Sequence, residues 1–186
     1  MRIALLAYRK LKRKTKKKLL GIHRQELLRN VKGGDALHLE GEVRVIHPEN
    51  LTLGRNVHIG ADAYINCRGG VTIGDHSILS RRVTIYSYDH NFKTPRCLPF
   101  DDQVTLKPVH IGHYVWIGMG VTIAPGTRIG DGAVVGTGTV VSGNIPDNAI
   151  VVSPPPRIVG YRDKDHADKL ALEERFWEGY WNRERR

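Results

Sequence analysis

Apolar residues recur at every sixth position between Val109 and Ile145. Written in sixes, the stretch reads VHIGHY, VWIGMG, VTIAPG, TRIGDG, AVVGTG and TVVSGN, with an aliphatic residue third in each unit. A small residue follows that aliphatic residue every time. An amphipathic helix needs apolar residues three and four positions apart, and the stretch does not supply this spacing. A period of six with β-branched runs is typical of a parallel β-helix built from hexapeptide repeats.

Each unit predicts one short strand and one turn, and three units form a triangular coil with its aliphatic residues inside. The pattern is irregular before Leu53, and two extra residues within Cys67–Gly70 mark a bulged corner. After Ile85 the pattern returns only at Ile111, so residues 87–108 are predicted to leave the coil as an extruded loop. Long excursions from a rigid scaffold often carry function.

Helical arms are predicted at both ends of the repeats. Residues 1–30 contain no proline and combine leucine, isoleucine and alanine with lysine and arginine, and the Gly33-Gly34 pair ends this pattern. Pro154–Pro156 prevent a further strand, and an amphipathic helix follows, with an apolar side formed by Leu170, Phe176, Trp177 and Trp181. The predicted segments are a basic arm (1–34), a β-helix domain (35–160) with the extruded loop 87–108, and a C-terminal helix (161–186).

The positive charge of the protein belongs to the first arm. The chain has a formal net charge of +10, yet residues 1–34 hold 12 lysines and arginines and one acid, leaving 17 basic and 18 acidic residues elsewhere. Such an arm is suited to peripheral binding of anionic membrane lipid. Packing on the repeats or on a neighbouring subunit is the alternative. Nucleic acid is disfavoured because only Tyr8 interleaves with the cations and no recognition motif is present.

Cysteine usage and hydropathy bear on the cellular compartment. Cys67 and Cys97 are the two cysteines, and neither lies in a metal-binding spacing, so we expect a reducing compartment and no structural metal. No apolar run approaches the roughly 20 residues that span a bilayer, and the opening IALLAY is too short for a signal peptide. A cytoplasmic protein is therefore expected, with association at the inner face of the membrane left open.

The motif VWIG followed by IGDGAVVG, with YDHNF before it and PPPRIV after it, resembles the hexapeptide-repeat acyltransferases. Within them the chain is most similar to the sugar O-acetyltransferase group, which includes maltose, galactoside and nodulation-factor acetyltransferases. The resemblance covers about residues 50–160. It implies a left-handed β-helix, a homotrimer with active sites between subunits, acetyl-CoA as donor, a sugar acceptor and no metal.

The resemblance implies that His90 is the general base, because the family has a histidine 16 residues after the glycine that is Gly74 here. An imidazole titrates near neutral pH and can take the proton of a sugar hydroxyl as it attacks a thioester. Asp89 or a backbone carbonyl would orient the ring. Asn66 matches a family residue that contacts the acceptor, with a purely structural corner role as the alternative. Surface positions are expected for the other histidines, including His58, His76, His110 and His113.

The resemblance also implies a set of acetyl-CoA contacts in the later part of the chain: Trp116, Met119, Thr137, Ser142 and Arg157. Trp116 matches a family tryptophan near the pantetheine arm, and packing between subunits explains its position equally well. Met119 is bulkier than the usual alanine or serine. At residue 143, a glycine replaces a family lysine that meets the nucleotide phosphates.

The leading functional hypothesis is acetyl transfer from acetyl-CoA to a sugar hydroxyl of a bacterial surface polysaccharide or its precursor. Three alternatives stay open. They are an amino-sugar N-acetyltransferase, a xenobiotic (antibiotic) acetyltransferase and a non-catalytic hexapeptide-repeat scaffold. Substitution of His90 separates the classes, because an enzyme would lose turnover while keeping its CoA binding and a scaffold would lose nothing.

Overall fold

A computed structural model describes residues 15, 18–91, 100, 102–152, 157–161 and 163–173. Most of the basic segment before residue 18 lies outside these residues. So do Cys97, the central part of the extruded loop, Pro154–Pro156, and Phe176, Trp177 and Trp181.

The described strands are short and are arranged in three parallel sheets, which form the three faces of a triangular solenoid. Face 1 contains β1 (Lys32–Gly33), β4 (Leu51–Leu53), β7 (Val71–Ile73), β12 (Val109–Ile111), β15 (Arg128–Ile129) and β18 (Asn144–Ile145). Face 2 contains β2 (His38–Leu39), β5 (His58–Ile59), β8 (Ile78–Leu79), β13 (Trp116–Ile117), β16 (Val134–Val135) and β19 (Ala149–Val152). Face 3 contains β3 (Val43–Ile46), β6 (Ala63–Asn66), β9 (Thr84–Tyr86), β14 (Thr122–Ile123) and β17 (Val140–Val141).

Each solenoid strand pairs in parallel with the strand on the same face of the next coil. The result is a left-handed parallel β-helix of about six turns, which confirms the predicted fold class. Its connections are an exception to the usual right-handed crossover between parallel strands. Two further strands, β10 (Tyr88–His90) and β11 (Val104–Leu106), form an antiparallel hairpin, and β20 (Arg157–Tyr161) pairs antiparallel with β19.

The core is a set of aliphatic columns that run along the solenoid axis. On face 1, Leu53 pairs with Ile73, Ile73 with Ile111, and Ile111 with Ile129. All four side chains are buried. Burial of one such side chain stabilises the fold by about 1.5–3 kcal/mol. The six-residue period therefore places each aliphatic residue on its equivalent in the next coil.

The glycines that follow the core residues are required by the close approach of neighbouring coils. A Cβ atom added at Gly74 would lie 2.6 Å from backbone atoms of Gly112. One added at Gly112 would lie 2.8 Å from the backbone nitrogen of Asp131. Both distances are shorter than any normal Cβ contact, so the corner between faces 1 and 2 excludes a side chain at these positions.

Two helices flank the solenoid. Residues 18–30 form α1, which covers the first coil: Leu27 is buried, Arg24 Nε donates to the Leu37 carbonyl at 2.6 Å, and His23 Nε2 lies 2.9 Å from the Val43 carbonyl oxygen. At the other end, α2 (Lys164–Leu172) follows β20. This part of the basic arm therefore packs on the repeats and covers apolar surface at the open end of the solenoid. Neither described helix is long and apolar enough to span a bilayer.

The corner between faces 3 and 1 is irregular on three successive coils. A short 3-10 helix, Pro48–Asn50, occupies it on the first coil, Cys67–Gly70 on the second, and residues 87–108 on the third. Leu51 consequently pairs with Val71, 20 residues later, whereas the regular coil after the loop brings together residues 18 apart. We call this edge the irregular corner. The extra residues give it the room for a site that the tight corners lack.

Candidate functional site

The extruded loop leaves the irregular corner as a hairpin that carries His90. The backbone nitrogen of Lys107 donates to the Ser87 carbonyl at 2.8 Å and closes the base of the loop. Above this base, Asp89 pairs with Thr105 and His90 with Val104. His90 is the last residue of β10, and its side chain is exposed. The excursion lies between β9, which ends at Tyr86, and β12, which begins at Val109.

The imidazole of His90 packs between two aromatic rings. The Phe100 ring stacks on it with a centroid distance of 4.0 Å and an interplanar angle of 22°, and the Tyr88 ring meets it edge-on at 5.5 Å. Because one face of the imidazole is covered and its edge remains accessible, the ring has a defined plane. An exposed histidine with a fixed ring plane is suited to proton transfer.

Asp89 forms an ion pair that the sequence did not predict. Its Oδ2 lies 2.6 Å from the Nζ atom of Lys107, across the base of the hairpin. Both side chains are close to half-exposed. The carboxylate therefore ties the two strands together next to His90, and its predicted role in orienting the ring stays a prediction.

Asn66 is buried at the end of β6 and joins the irregular corner to the start of the loop. Its Oδ1 accepts from the backbone nitrogen of Arg68 at 3.2 Å, and its Nδ2 donates to the Tyr64 hydroxyl at 3.4 Å. Its carbonyl accepts from Ser87 Oγ at 2.8 Å. Asn66 is in extended conformation, whereas Gly70 supplies the left-handed residue of this corner, with a φ of 97°.

Three tyrosines, Tyr64, Tyr86 and Tyr88, lead along face 3 towards His90. We call them the tyrosine row; its neighbouring centroids are 5.4 and 6.3 Å apart. Partial desolvation raises the pKa of Tyr86, and its interaction with the Tyr64 hydroxyl adds to the rise. The six-residue period of the sequence does not single out this row. The alternation of Tyr86, Tyr88 and His90 is the available signal, because alternate residues of an extended chain point to the same side.

The predicted acetyl-CoA contacts lie mostly at the corner between faces 2 and 3. Trp116 has a relative exposure of 51%, and its Nε1 donates to Ser80 Oγ at 3.4 Å. Met119 and Thr137 occupy this corner on consecutive coils and are exposed. Ser142, also exposed, follows β17 at the other edge of face 3, and Arg157 begins β20.

The candidate residues consequently form two groups on opposite edges of face 3. His90, Asp89, Asn66 and Ser142 belong to the irregular corner. Met119 and Thr137 belong to the corner between faces 2 and 3, which Trp116 precedes in β13, and Arg157, in β20, belongs to neither group. Within one chain, face 3 separates the candidate general base from Trp116.

One predicted surface position is wrong. His58 lies in β5 with 8% of its surface exposed, and its Nε2 is 3.6 Å from Glu40 Oε1. Burial lowers the pKa of His58, against the opposing effect of the Glu40 carboxylate. His38, its partner on the preceding coil, also has a pKa lowered by desolvation. Among the described residues, no group of three or more His, Cys, Asp or Glu side chains is arranged to hold a metal ion.

Family models match both halves of the solenoid. The bacterial transferase hexapeptide model (six repeats) matches residues 108–143, and the hexapeptide repeat of succinyl-transferase matches residues 50–86. The chain is a hexapeptide-repeat protein, and its repeats are similar to those of bacterial transferases. The resemblance to hexapeptide-repeat acyltransferases that the motifs indicated is confirmed.

Two curated relatives align with the hexapeptide-repeat protein. A probable acetyltransferase of Mycobacterium tuberculosis is 36% identical over 144 residues, which cover 76% of this chain and 47% of the relative. Nodulation protein L of Rhizobium meliloti is 41% identical over 122 residues, which cover 61% of this chain and 64% of the relative. The chain therefore spans between about half and two thirds of the length of these relatives.

Solved structures share the same solenoid. A maltose O-acetyltransferase from Clostridium difficile superposes with a TM-score of 0.66 at 29% identity, covering 76% of this hexapeptide-repeat protein and 75% of that chain. A galactoside acetyltransferase in complex with coenzyme A superposes with a TM-score of 0.58 at 28% identity, covering 73% and 68%.

Proposed function

We propose that the protein is an acetyl-CoA-dependent O-acetyltransferase that modifies a sugar hydroxyl of a bacterial surface polysaccharide or its precursor. The observation that carries the proposal is the position of His90, exposed at the end of β10 on a hairpin that leaves a hexapeptide solenoid. The likeness to a maltose O-acetyltransferase and to a CoA-bound galactoside acetyltransferase supports both the donor and the acceptor class.

His90 is assigned as the general base. Its imidazole accepts the proton of the acceptor hydroxyl while the hydroxyl oxygen forms a bond to the thioester carbonyl carbon. The carbon–sulfur bond then breaks, and the imidazolium returns the proton to the departing sulfur. The acetyl ester and the free thiol of CoA are the products, and His90 is regenerated. Phe100 supports this role by covering one face of the ring, which holds the imidazole edge towards the acceptor.

The tyrosine row supports a carbohydrate acceptor. The apolar face of a pyranose ring stacks on an aromatic ring, and a phenol hydroxyl can bind a sugar hydroxyl at the edge of that stack. Tyr88 meets the His90 ring directly, so a sugar on this tyrosine has a hydroxyl within reach of the base. Asn66 is assigned a supporting role, because it fixes Tyr64 and the start of the loop.

Acetyl-CoA is assigned to the opposite edge of face 3, with contacts from Trp116, Met119 and Thr137. Ser142, on the irregular corner, and Arg157, in β20, are the remaining assigned contacts. The exposed apolar surface of Trp116 and Met119 suits the pantetheine arm. Since this edge and His90 lie apart within one chain, a complete site needs a second copy, and a closed homotrimer provides three such sites. The face 2–face 3 corner of one subunit then lies beside the hairpin of the next.

The basic arm is assigned to anionic lipid at the inner face of the cytoplasmic membrane, where lipid-linked glycan precursors are available. Residues 1–17 contain eight lysines and arginines and no acid, and each cation near an anionic surface contributes about 1 kcal/mol. Deletion of residues 1–17 spares α1, which packs on the first coil. The full chain should co-sediment with anionic vesicles and not with neutral ones. The deletion variant should not co-sediment with anionic vesicles. Equal binding by both proteins would contradict the assignment.

The decisive experiment is release of free thiol from acetyl-CoA against a panel of sugars, amino sugars and antibiotics. We expect turnover by the wild type with a sugar, and a loss of about 100-fold or more in kcat for His90→Ala, with CoA binding intact. His110→Ala, at a histidine on face 1, is the matched control and should keep its turnover. Undiminished turnover in His90→Ala would contradict the assigned base. No CoA binding by the wild type would favour a scaffold.

A further inference from the structure

Two arginines stack on the ends of the tyrosine row. The guanidinium carbon of Arg44 lies 5.8 Å from the centroid of the Tyr64 ring, and that of Arg68 lies 5.3 Å from the centroid of the Tyr88 ring. Stacking on an aromatic face orients a guanidinium group while leaving its N–H donors available along the edges. The row is therefore an aromatic surface with a positive charge at each end.

Neither arginine is neutralised within the described part of the chain. No described carboxylate lies within ion-pair distance of the Arg44 or Arg68 guanidinium group. The neighbouring cation Lys107, in contrast, is paired with Asp89. Glu49 is an exposed acid of the irregular corner, and its Oε1 lies 3.3 Å from Nδ1 of His47. The donors of both arginines are thus open to a ligand on the row.

We propose that the acceptor is an acidic saccharide, with a carboxylate or phosphate group that binds Arg68 while a hydroxyl lies at His90. The inference rests on the proposed acetyl transfer and narrows its acceptor. Guanidinium groups bind both oxyanions with paired N–H donors, and such charge-assisted hydrogen bonds are stronger than those to neutral groups.

The spacing of the groups fits one sugar unit between the charge and the reacting hydroxyl. The Tyr88 ring lies 5.3 Å from the Arg68 guanidinium carbon and 5.5 Å from the centre of the His90 ring. A single sugar unit bound beside Tyr88 is therefore within reach of both the base and the cation. Arg44, further along the row, would meet an anionic group on the next sugar unit.

Matched acceptors that share one ring and differ in charge test the inference. Methyl glucoside is neutral, methyl glucuronide carries a carboxylate, and glucose 1-phosphate carries a phosphate. We expect the wild type to use at least one charged probe with a kcat/KM about 10-fold or more above that of the neutral probe, and the better charged probe identifies the oxyanion. The preference should shrink at high salt, because ions screen exposed charges.

Arg68→Gln is expected to bring the ratio of charged to neutral kcat/KM close to one, and Arg68→Lys should retain part of it. Arg55→Gln is the matched control, because Arg55 is an exposed arginine of the same coil at the opposite corner. If Arg68 only supported Tyr88 and the hairpin, its loss would reduce turnover with all three probes equally. An unchanged ratio in Arg68→Gln would overturn the inference.

Binding of the same probes, measured by NMR titration, separates this inference from the proposed catalysis. Tighter binding of a charged probe to the wild type than to Arg68→Gln, without turnover, would support the acidic subsite and contradict acetyl transfer to these sugars. Acetylation of the neutral probe, without tighter binding or faster turnover of either charged probe, would overturn the acidic subsite and leave the proposed function in place.

Discussion

The Nζ atom of Lys107 lies 2.6 Å from Oδ2 of Asp89, across the base of the hairpin that carries His90. The two residues are 18 positions apart and meet because the loop returns to the coil beside its point of departure. The pair thereby links the end of the excursion to the residue that precedes the candidate base.

Lys107→Gln is expected to lower kcat clearly while changing the free energy of unfolding only a little. A partly exposed pair contributes about 1 kcal/mol or less to the free energy of unfolding, whereas a displaced general base lowers turnover by about 10-fold or more. Thiol-release kinetics and urea denaturation measure the two effects. The charge-swapped double variant Asp89→Lys/Lys107→Asp should recover part of the turnover.

Lys164→Gln is the matched control for this prediction, since it breaks an exposed ion pair with Asp168 on α2. It should leave turnover unchanged. A loss of stability without a change in kcat for Lys107→Gln would show that the pair supports the fold and not the position of His90.

Gly74→Ala is expected to destabilise the solenoid strongly. Its Cβ atom would lie 2.6 Å from backbone atoms of Gly112, which cannot move without displacing the next coil. We expect a loss of about 2 kcal/mol or more in the free energy of unfolding, measured by urea denaturation at one fixed protein concentration.

Gly21→Ala is the opposite case. Gly21 lies in α1, where an added Cβ would contact nothing within 4 Å. Alanine is a better helix former than glycine, so this variant should gain about 0.5–1 kcal/mol in the free energy of unfolding. Equal effects of the two substitutions would contradict the close-approach explanation.

His58 is expected to make the fold sensitive to mild acid. Its pKa is lowered in the folded protein by burial, so above its ordinary value of 6.5 both the folded and the unfolded chain hold it neutral. As the pH falls below 6.5, the unfolded chain takes up the proton first, and the free energy of unfolding decreases. The pKa of His38 is also lowered by desolvation, so its protonation in the unfolded chain adds to the same decrease in stability.

Urea denaturation at about pH 7 and about pH 5 tests this linkage. His58→Gln should lose less stability between the two conditions than the wild type, whatever its stability at neutral pH. His47→Asn, at an exposed histidine, is the control. An unchanged pH dependence in His58→Gln would exclude His58 as a source of the acid sensitivity.

Cys67 is expected to be inert towards thiol reagents in the folded protein. Its side chain is fully buried, and burial raises the pKa of the thiol to about 12. At pH 8 only about one molecule in ten thousand would carry the reactive thiolate. In a Cys97→Ser background, which leaves a single cysteine, labelling should become complete only in denaturant. Rapid stoichiometric labelling under native conditions would show that the irregular corner opens.

The pattern of the sequence predicted the core of this protein almost residue by residue. The aliphatic residues that recur every six positions from Ile111 to Val141 are all buried. The departure after Ile85 located the hairpin, and the family resemblance singled out His90, whose role stays a prediction. His58 was misplaced because it was grouped with the histidines of coil turns, although it lies within β5 and is covered by packing that its neighbours in sequence do not reveal.

By itself, the sequence determined the solenoid, because a period of six repeats the same contact between each coil and the next. A local sequence pattern is enough to predict a fold in which every core residue packs on the equivalent residue of the next coil. The tertiary structure alone decided the surroundings of the candidate base: Lys107 on Asp89, Phe100 on His90, and Arg68 on Tyr88. These contacts join an irregular corner to a loop outside the period. Their geometry depends on how the chain leaves and re-enters the coil, which no repeat specifies.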